Sequence, residues 1–485
     1  MFKKLKAFFA SRDKENLFRI DGAVPFKNAI PVGIQHVLAM FVANVTPILI
    51  VFGAVKAGDP GANVEAAIMG SIFIAGIGTI IQLFSFWRIG ARLPIVVGVS
   101  FTFVGVLAAV TSQYGYGTMV GSTIVGGVII GILGLFAKYW RKFIKPIVSS
   151  IVILAIGLSL MPVGINQFLN GNQLFGADSA ILSIGETWPF LLIGFITLFS
   201  YLFYANLFKN WVKTLSILLS LVTGYLVALI LNFAGFNTID FSSLQFNTIT
   251  DYISYPQIID LSIIKFDISA IILVTLIYLV ASTEAIGDIS ALTYVSEGRV
   301  PTEKEISGGI ASDGFVSAFA SLFGSLPLTT FSQNIGIVKE TKICNRFTIL
   351  MGAIALVIIS FFPPLAKVIR TIPDPVLGGC LMILFTSIAI TAIEMISQLG
   401  FTKKNVLILS VSLALGYGLS LVGETNLTKF FGEDLNYLTI IISNPVATMF
   451  IISFVMSFII KDEKKPEIEE PIAEEVKETG EPYNA

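Results

Sequence analysis

The 485-residue chain is 55% hydrophobic and only 13% charged, with mean hydropathy +0.85 and a formal net charge of −1. Soluble domains carry about 25% charged residues, so this composition excludes an ordinary water-soluble globule, and the balanced charge gives no basis for binding nucleic acid. One histidine, two distant cysteines and no GxxxxGK[ST] run exclude a multi-histidine metal centre, a disulfide framework and a P-loop ATPase domain.

Apolar runs approaching ~20 residues are long enough to cross a bilayer core. In chain order they fall at about 29–55, 64–83, 94–110, 117–137, 146–163, 188–207 and 214–233, then 267–291, 307–324, 327–338, 347–366, 375–396, 405–422 and 442–460. The pattern predicts an all-α polytopic membrane protein with fourteen segments, the third and tenth being too short for full helices. Residues 1–28 are expected to form a cytoplasmic segment, of which residues 1–18, basic and briefly apolar, lie along the membrane surface. Residues 461–485, rich in Glu, Lys and Pro, are expected to form a disordered tail.

Charge placement supports the count. Of 31 Lys and Arg, 26 fall in the two termini and the even-numbered loops, and 5 in the odd-numbered loops. By the positive-inside rule both termini are expected on the cytoplasmic side of a cytoplasmic (inner) membrane.

Two stretches interrupt the helical pattern. Pro94–Phe103 and Pro327–Gly336 each follow a Leu and continue with β-branched, aromatic and small polar residues that favour extended backbone. In lipid their backbone groups need internal partners, and two short extended pieces can satisfy each other as antiparallel strands. They lie seven segments apart, which gives the two halves opposite orientation, the signature of an inverted-repeat transporter with its site near the midplane.

Ionisable residues inside the apolar runs are functional candidates by default. Glu284 and Asp288 lie four residues apart on one face of the eighth segment, a pair suited to taking up and releasing a proton. Asp313 in the ninth reads equally as a buried acceptor or a ligand group. Gln35 and His36 lie in the first, where a lone histidine reads mainly as a hydrogen-bonded residue of the bundle. Gly127 and Gly131 have the spacing of close helix contact, and Cys344 and Cys380 read as small core hydrophobes. The tenth segment offers Gln333 and Asn334, whose amides can read the edge of a planar heterocycle, and Gly336, which lets backbone approach a ligand.

Four motifs in order resemble the nucleobase–ascorbate transporters: Gln35-His36, Thr283-Glu284-Ala-Ile-Gly287-Asp288, Asp313-Gly314, and the signature met by Gln333, Asn334, Gly336, Thr341 and Lys342. The resemblance implies a seven-plus-seven inverted repeat with short strands in segments 3 and 10. It implies a core formed by residues 29–137, 234–346 and 347–366, and a gate formed by 138–233 and 367–460. It further implies that Glu284, Gln333 and the backbone around Phe101 and Gly336 contact the base, with Asn334 holding local geometry. Asp288 joins Glu284 in proton coupling, while Gln35, His36, Asp313, Thr341 and Lys342 tune affinity or structure. Gln at position 333, where uracil carriers have Glu, and Asp at 288, where some have His, favour xanthine or uric acid over uracil. The implied activity is proton symport of a purine base by a homodimer in the lipid bilayer, with H+ as coupling ion, no metal and no enzymatic step; a uracil permease is the alternative.

Overall fold

The computed structural model describes residues 13–56, 58–169, 184–208, 213, 215–242, 244, 246–432 and 436–460. The expected tail and the first twelve residues lie outside this set. Among the described residues, each predicted segment overlaps a helix: α1 (Phe26–Gly53), α2 (Val64–Phe84), α3 (Val104–Tyr114), α4 (Tyr116–Leu135), α5 (Pro146–Phe168), α6 (Ile184–Leu207) and α7 (Ser216–Leu231). The second half holds α8 (Ile268–Glu297), α9 (Glu303–Ser321), α10 (Ser332–Thr341), α11 (Arg346–Ile359), α12 (Asp374–Leu399), α13 (Lys403–Val411) and α14 (Pro445–Ile459).

Several helices begin where a short polar side chain caps free N–H groups. Asn63 accepts from Ala66 N, Asp267 from Ala270 N, and Asn444 from Ala447 N. Thr302 and Glu305 form a reciprocal capping box at the start of α9.

Among the described residues, eight helices are long and apolar enough to cross a membrane. A ninth span is counted if α11 is joined to the short helix Pro363–Arg370, which leaves it at an 82° bend. The adjacent prolines 363 and 364 cannot donate backbone hydrogen bonds, so the helix stops before them. Helices α3 and α14 are apolar but shorter, and α13 passes into a π-helical turn at Ser412–Tyr417.

The two interrupted stretches meet. Strand β1 (Val97–Val99) pairs antiparallel with β2 (Leu328–Thr330), with Val97 opposite Thr330 and Val99 opposite Leu328. A two-stranded ribbon still leaves outer edges unpaired, which is untenable in a dry interior. Side chains from three helices close them: Thr79 Oγ1 of α2 accepts from Val97 N at 3.0 Å, and Asn44 Oδ1 of α1 accepts from Val99 N at 2.8 Å. Ser317 Oγ of α9 both accepts from Leu328 N and donates to Leu328 O, each at 2.9 Å. Gly98, the middle residue of β1, leaves room for the Phe331 ring, which would lie 2.4 Å from a Cβ there.

Helix α4 lies against α9, and α1 and α2 against α11; elsewhere α5 lies along α12, α6 along α7, and α14 against α5. The expected close contact at Gly127 and Gly131 is present: Gly127 faces Gly314 O and Ala318, and Gly131 faces Phe315. Helices α6 and α7 bury only 17% of their apolar windows, which places them at the periphery. Cys344 and Cys380 are buried free thiols.

Residues 13–24 include the described end of the expected surface segment, residues 13–18. They fold back onto the turn between α10 and α11, where Asn345 Nδ2 reaches the carbonyls of Asn16, Arg19 and Gly22 at 2.8–3.0 Å. Arg346 pairs with Asp21 and donates to Leu83 O. The segment is held by these polar contacts and by Leu17 and Val24, which are buried in a cluster with Phe347. On the loop before α8, Asp251 accepts from Lys367 Nζ at 2.6 Å. That hydrogen bond, with those from Thr248, holds the Asp251 carboxyl well below the usual carboxylate range.

Candidate functional site

The site is built where α8 passes the two broken segments. Glu284 is half-buried on α8, and its Oε2 accepts from Thr102 Oγ1 at 2.7 Å. Thr102 belongs to the single 3-10 turn, Phe101–Phe103, that joins β1 to α3. One helical turn along α8, Asp288 is buried and its Oδ2 accepts from Ser332 Oγ at 2.8 Å. Ser332 is the first residue of α10, directly after β2 and Phe331. Glu284 and Asp288 are therefore each held by a hydroxyl at the exit of one strand.

Gln333 follows Ser332 on the first turn of α10 and is half-buried. One turn on, Gly336 faces open space, with nothing within 4 Å of an added Cβ. Asn334, between them, is buried, and neither amide atom has a hydrogen-bond partner among the described residues. Phe101 is buried, with its ring 5.2 Å from that of Phe385 on α12 in an edge-on contact.

A cavity of about 380 Å³ lies beside this cluster, within the range of small-molecule sites. Phe101 and Thr102 form one wall; α5 contributes Ser159 and Pro162, and the start of α14 contributes Asn444 and Val446. Glu284 does not itself line the cavity. The Thr102 hydroxyl connects the two.

Other predicted residues stand apart. Asp313 on α9 accepts from Gln82 Nε2 at 2.9 Å, and the same amide group reaches Gly309 O at 3.2 Å while Gln82 Oε1 accepts from Ala91 N. This geometry is that of a buried acceptor tying α2 to α9. Thr341 donates to Ile337 O, and Lys342, with φ 60°, closes α10 by donating its N–H to Val338 O. Both end the helix on the side opposite Gln333, about 13 Å away at 1.5 Å per residue. Gln35 and His36 are buried in α1. Contrary to the expectation of a hydrogen-bonded histidine, neither His36 ring nitrogen has a partner among the described residues; apolar neighbours in sequence such as Val37 and Met40 belong to the surrounding core.

Thr102, Ser332, Gln82, Asn44, Thr79 and Ser317 were not singled out from the sequence. For Gln82 and Asn44 a signal existed, an amide inside an apolar run. Serine and threonine give none, because a hydroxyl in a membrane helix usually bonds its own backbone.

Comparison with known proteins gives the family and the fold. The family model described as the Permease family matches residues 27–425. The chain belongs to that family, the nucleobase–ascorbate transporters. Xanthine permease XanQ of Escherichia coli is 34% identical over 417 residues, covering 83% of this permease and 86% of XanQ. Uric acid permease PucK of Bacillus subtilis is 31% identical, covering 80% and 86%. Among solved structures, the transmembrane domain of the cyanobacterial bicarbonate transporter BicA superposes with TM-score 0.57 at 15% identity, covering 87% of this permease and 97% of that domain. Murine Slc26a9 superposes with TM-score 0.56 at 9% identity, covering 89% and 68%. The permease therefore shares their fold.

Proposed function

We propose that this permease imports xanthine or uric acid together with a proton across the cytoplasmic membrane. The observation that carries the reading is Glu284, a half-buried carboxylate with one oxygen held by Thr102, on the same helix face as Asp288, which Ser332, the neighbour of Gln333, holds in turn. An oxidised purine presents adjacent N–H and C=O groups. The free carboxylate oxygen accepts from N–H, while the Gln333 amide both donates and accepts. The relatives named for xanthine and uric acid favour these bases over uracil.

Proton coupling is assigned to Glu284 and Asp288. Uptake of one proton by a carboxylate pair one helical turn apart removes a like-charge repulsion that lipid surroundings do not screen. Neutralising the pair then favours the occupied site crossing the membrane.

The reading includes fourteen membrane passes in a seven-plus-seven repeat, with both termini cytoplasmic. Segments 1–4 and 8–11 form a core that carries the site, and segments 5–7 and 12–14 form a gate, the whole working as a homodimer. The grouping of α4 with α9, of α1 and α2 with α11, and of α5 with α12 supports that division. Translation of core against gate is the proposed elevator-like step.

The test is uptake of labelled xanthine, urate and uracil in cells lacking their own carriers, each competed by the others. Accumulation of xanthine or urate, abolished by a protonophore and by Glu284→Gln with the protein still in the membrane, is expected. Uracil outcompeting both purines would transfer the assignment to a uracil permease. Accumulation indifferent to the protonophore would remove proton coupling. Gln333→Glu should weaken purine uptake.

A further inference from the structure

One charged surface has no part in transport as described. At one end of α2, α4, α5 and α9, two segments distant in sequence are brought together. The first is the tight turn after α2, closed by the Phe86–Ile89 bridge. The second is the connection from α4 to α5, a short helix (Ala137–Trp140) and a 3-10 turn (Arg141–Phe143). They are joined where Arg88 Nη2 donates to Leu135 O at 3.2 Å, while Trp140 Nε1 satisfies Leu133 O at 2.9 Å.

The joined surface combines two chemistries. Its aromatic side chains stand out from the protein: Phe86 and Trp87 are more than 70% exposed, and Phe136, Tyr139 and Phe143 about half exposed. Its cations are set against these rings, Lys138 Nζ 4.6 Å from the Tyr139 centroid, Lys142 Nζ 5.2 Å from that of Phe143, and Arg88 5.9 Å from that of Trp87. Cation–π contact orients these groups but leaves their charge uncompensated. Among the described residues, Glu303 of α9 lies within reach, 3.8 Å from Arg141. Lys145 is engaged elsewhere, donating to Ser457 O. Arg88, Lys138 and Lys142 therefore have no carboxylate partner among the described residues.

The geometry points to a binding site for the phosphodiester of an anionic phospholipid, formed by Arg88, Lys138 and Lys142 and held at headgroup depth by the exposed aromatic belt. Exposed aromatic rings at the ends of membrane spans settle at the interface, and unpaired Lys and Arg at that depth attract acidic headgroups. A zwitterionic lipid carries the same phosphodiester but no net charge, so the same cations attract it less. The site also spans the connection between α4 and α5, so lipid held there fixes the segment that links the proposed core to the proposed gate.

The test uses the full chain reconstituted with equimolar phosphatidylglycerol and phosphatidylcholine, with lipids retained after detergent extraction counted by native mass spectrometry. Wild type should retain phosphatidylglycerol preferentially. The Arg88→Gln/Lys138→Gln/Lys142→Gln variant should lose that preference, about fivefold for each neutralised cation. The charge-preserving Arg88→Lys/Lys138→Arg/Lys142→Arg variant should keep it. As a measurement free of folding defects at these positions, Trp188→Phe/Trp211→Phe protein leaves Trp87 and Trp140 as reporters. Their fluorescence should be quenched more by brominated phosphatidylglycerol than by brominated phosphatidylcholine. Equal quenching by the two lipids overturns the proposal. So does a preference that survives the glutamine variant, or one lost equally in an Arg19→Gln/Lys27→Gln control.

Discussion

Thr102 and Ser332 each direct a single hydroxyl proton at a carboxylate of α8, and that choice fixes which oxygens remain for other partners. A hydrogen bond to a charged group contributes about 1.5–3 kcal/mol net. Thr102→Val keeps the shape and removes the donor, so Glu284 loses its orientation. We expect the uptake KM for xanthine to rise roughly tenfold or more, with protein abundance in the membrane unchanged, and Thr102→Ser to restore it. A KM that stays at the wild-type value in Thr102→Val would show that the hydroxyl does not position Glu284. The carboxylates themselves were legible in the sequence because Glu and Asp are rare inside apolar runs. Their hydroxyl partners were not, because nothing in a sequence tells a threonine that bonds its own helix from one that reaches across to another.

At the scale of elements, the breaks at Pro94 and Pro327 were legible from the Leu-Pro entry and the β-branched residues that follow. Pairing of the strands with each other was an open possibility, settled by the backbone need for partners in lipid. Their register was not legible, since it depends on Asn44, Thr79 and Ser317 arriving from three other helices. Likewise the bend after α11 and the π-turn after α13 arise where prolines or local packing cut apolar runs that read as continuous. The edge contacts make a direct prediction. Asn44→Leu leaves Val99 N buried without an acceptor, a loss of about 1–3 kcal/mol. The detergent-solubilised variant should therefore unfold at lower temperature than wild type. Equal melting would mean that the ribbon edge finds another partner and that Asn44 is dispensable to it.

At the scale of the molecule, the asymmetric placement of Lys and Arg was legible at once because insertion reads charge directly. The division into core and gate is expected from the family resemblance and not from composition, since apolar surfaces facing lipid and facing protein have the same composition; α6 and α7 are as apolar as the buried helices yet nearly uncovered. If transport moves one group past the other, contacts between them must break in every cycle. Gly105 of α3 and Asn444, the cap of α14, form such a contact, with the Asn444 amide nitrogen 3.6 Å from where a Cβ at position 105 would stand. The two residues also border the cavity next to Thr102. A Gly105→Cys/Asn444→Cys pair joined by a short reducible cross-linker should hold the groups in this one arrangement. Uptake should then fall to background on cross-linking and return on reduction, while either single variant treated the same way keeps its activity. Uptake that continues through a fully cross-linked population would require the base to cross without relative movement of α3 and α14, and the elevator-like step would have to be abandoned in favour of motions confined to the site.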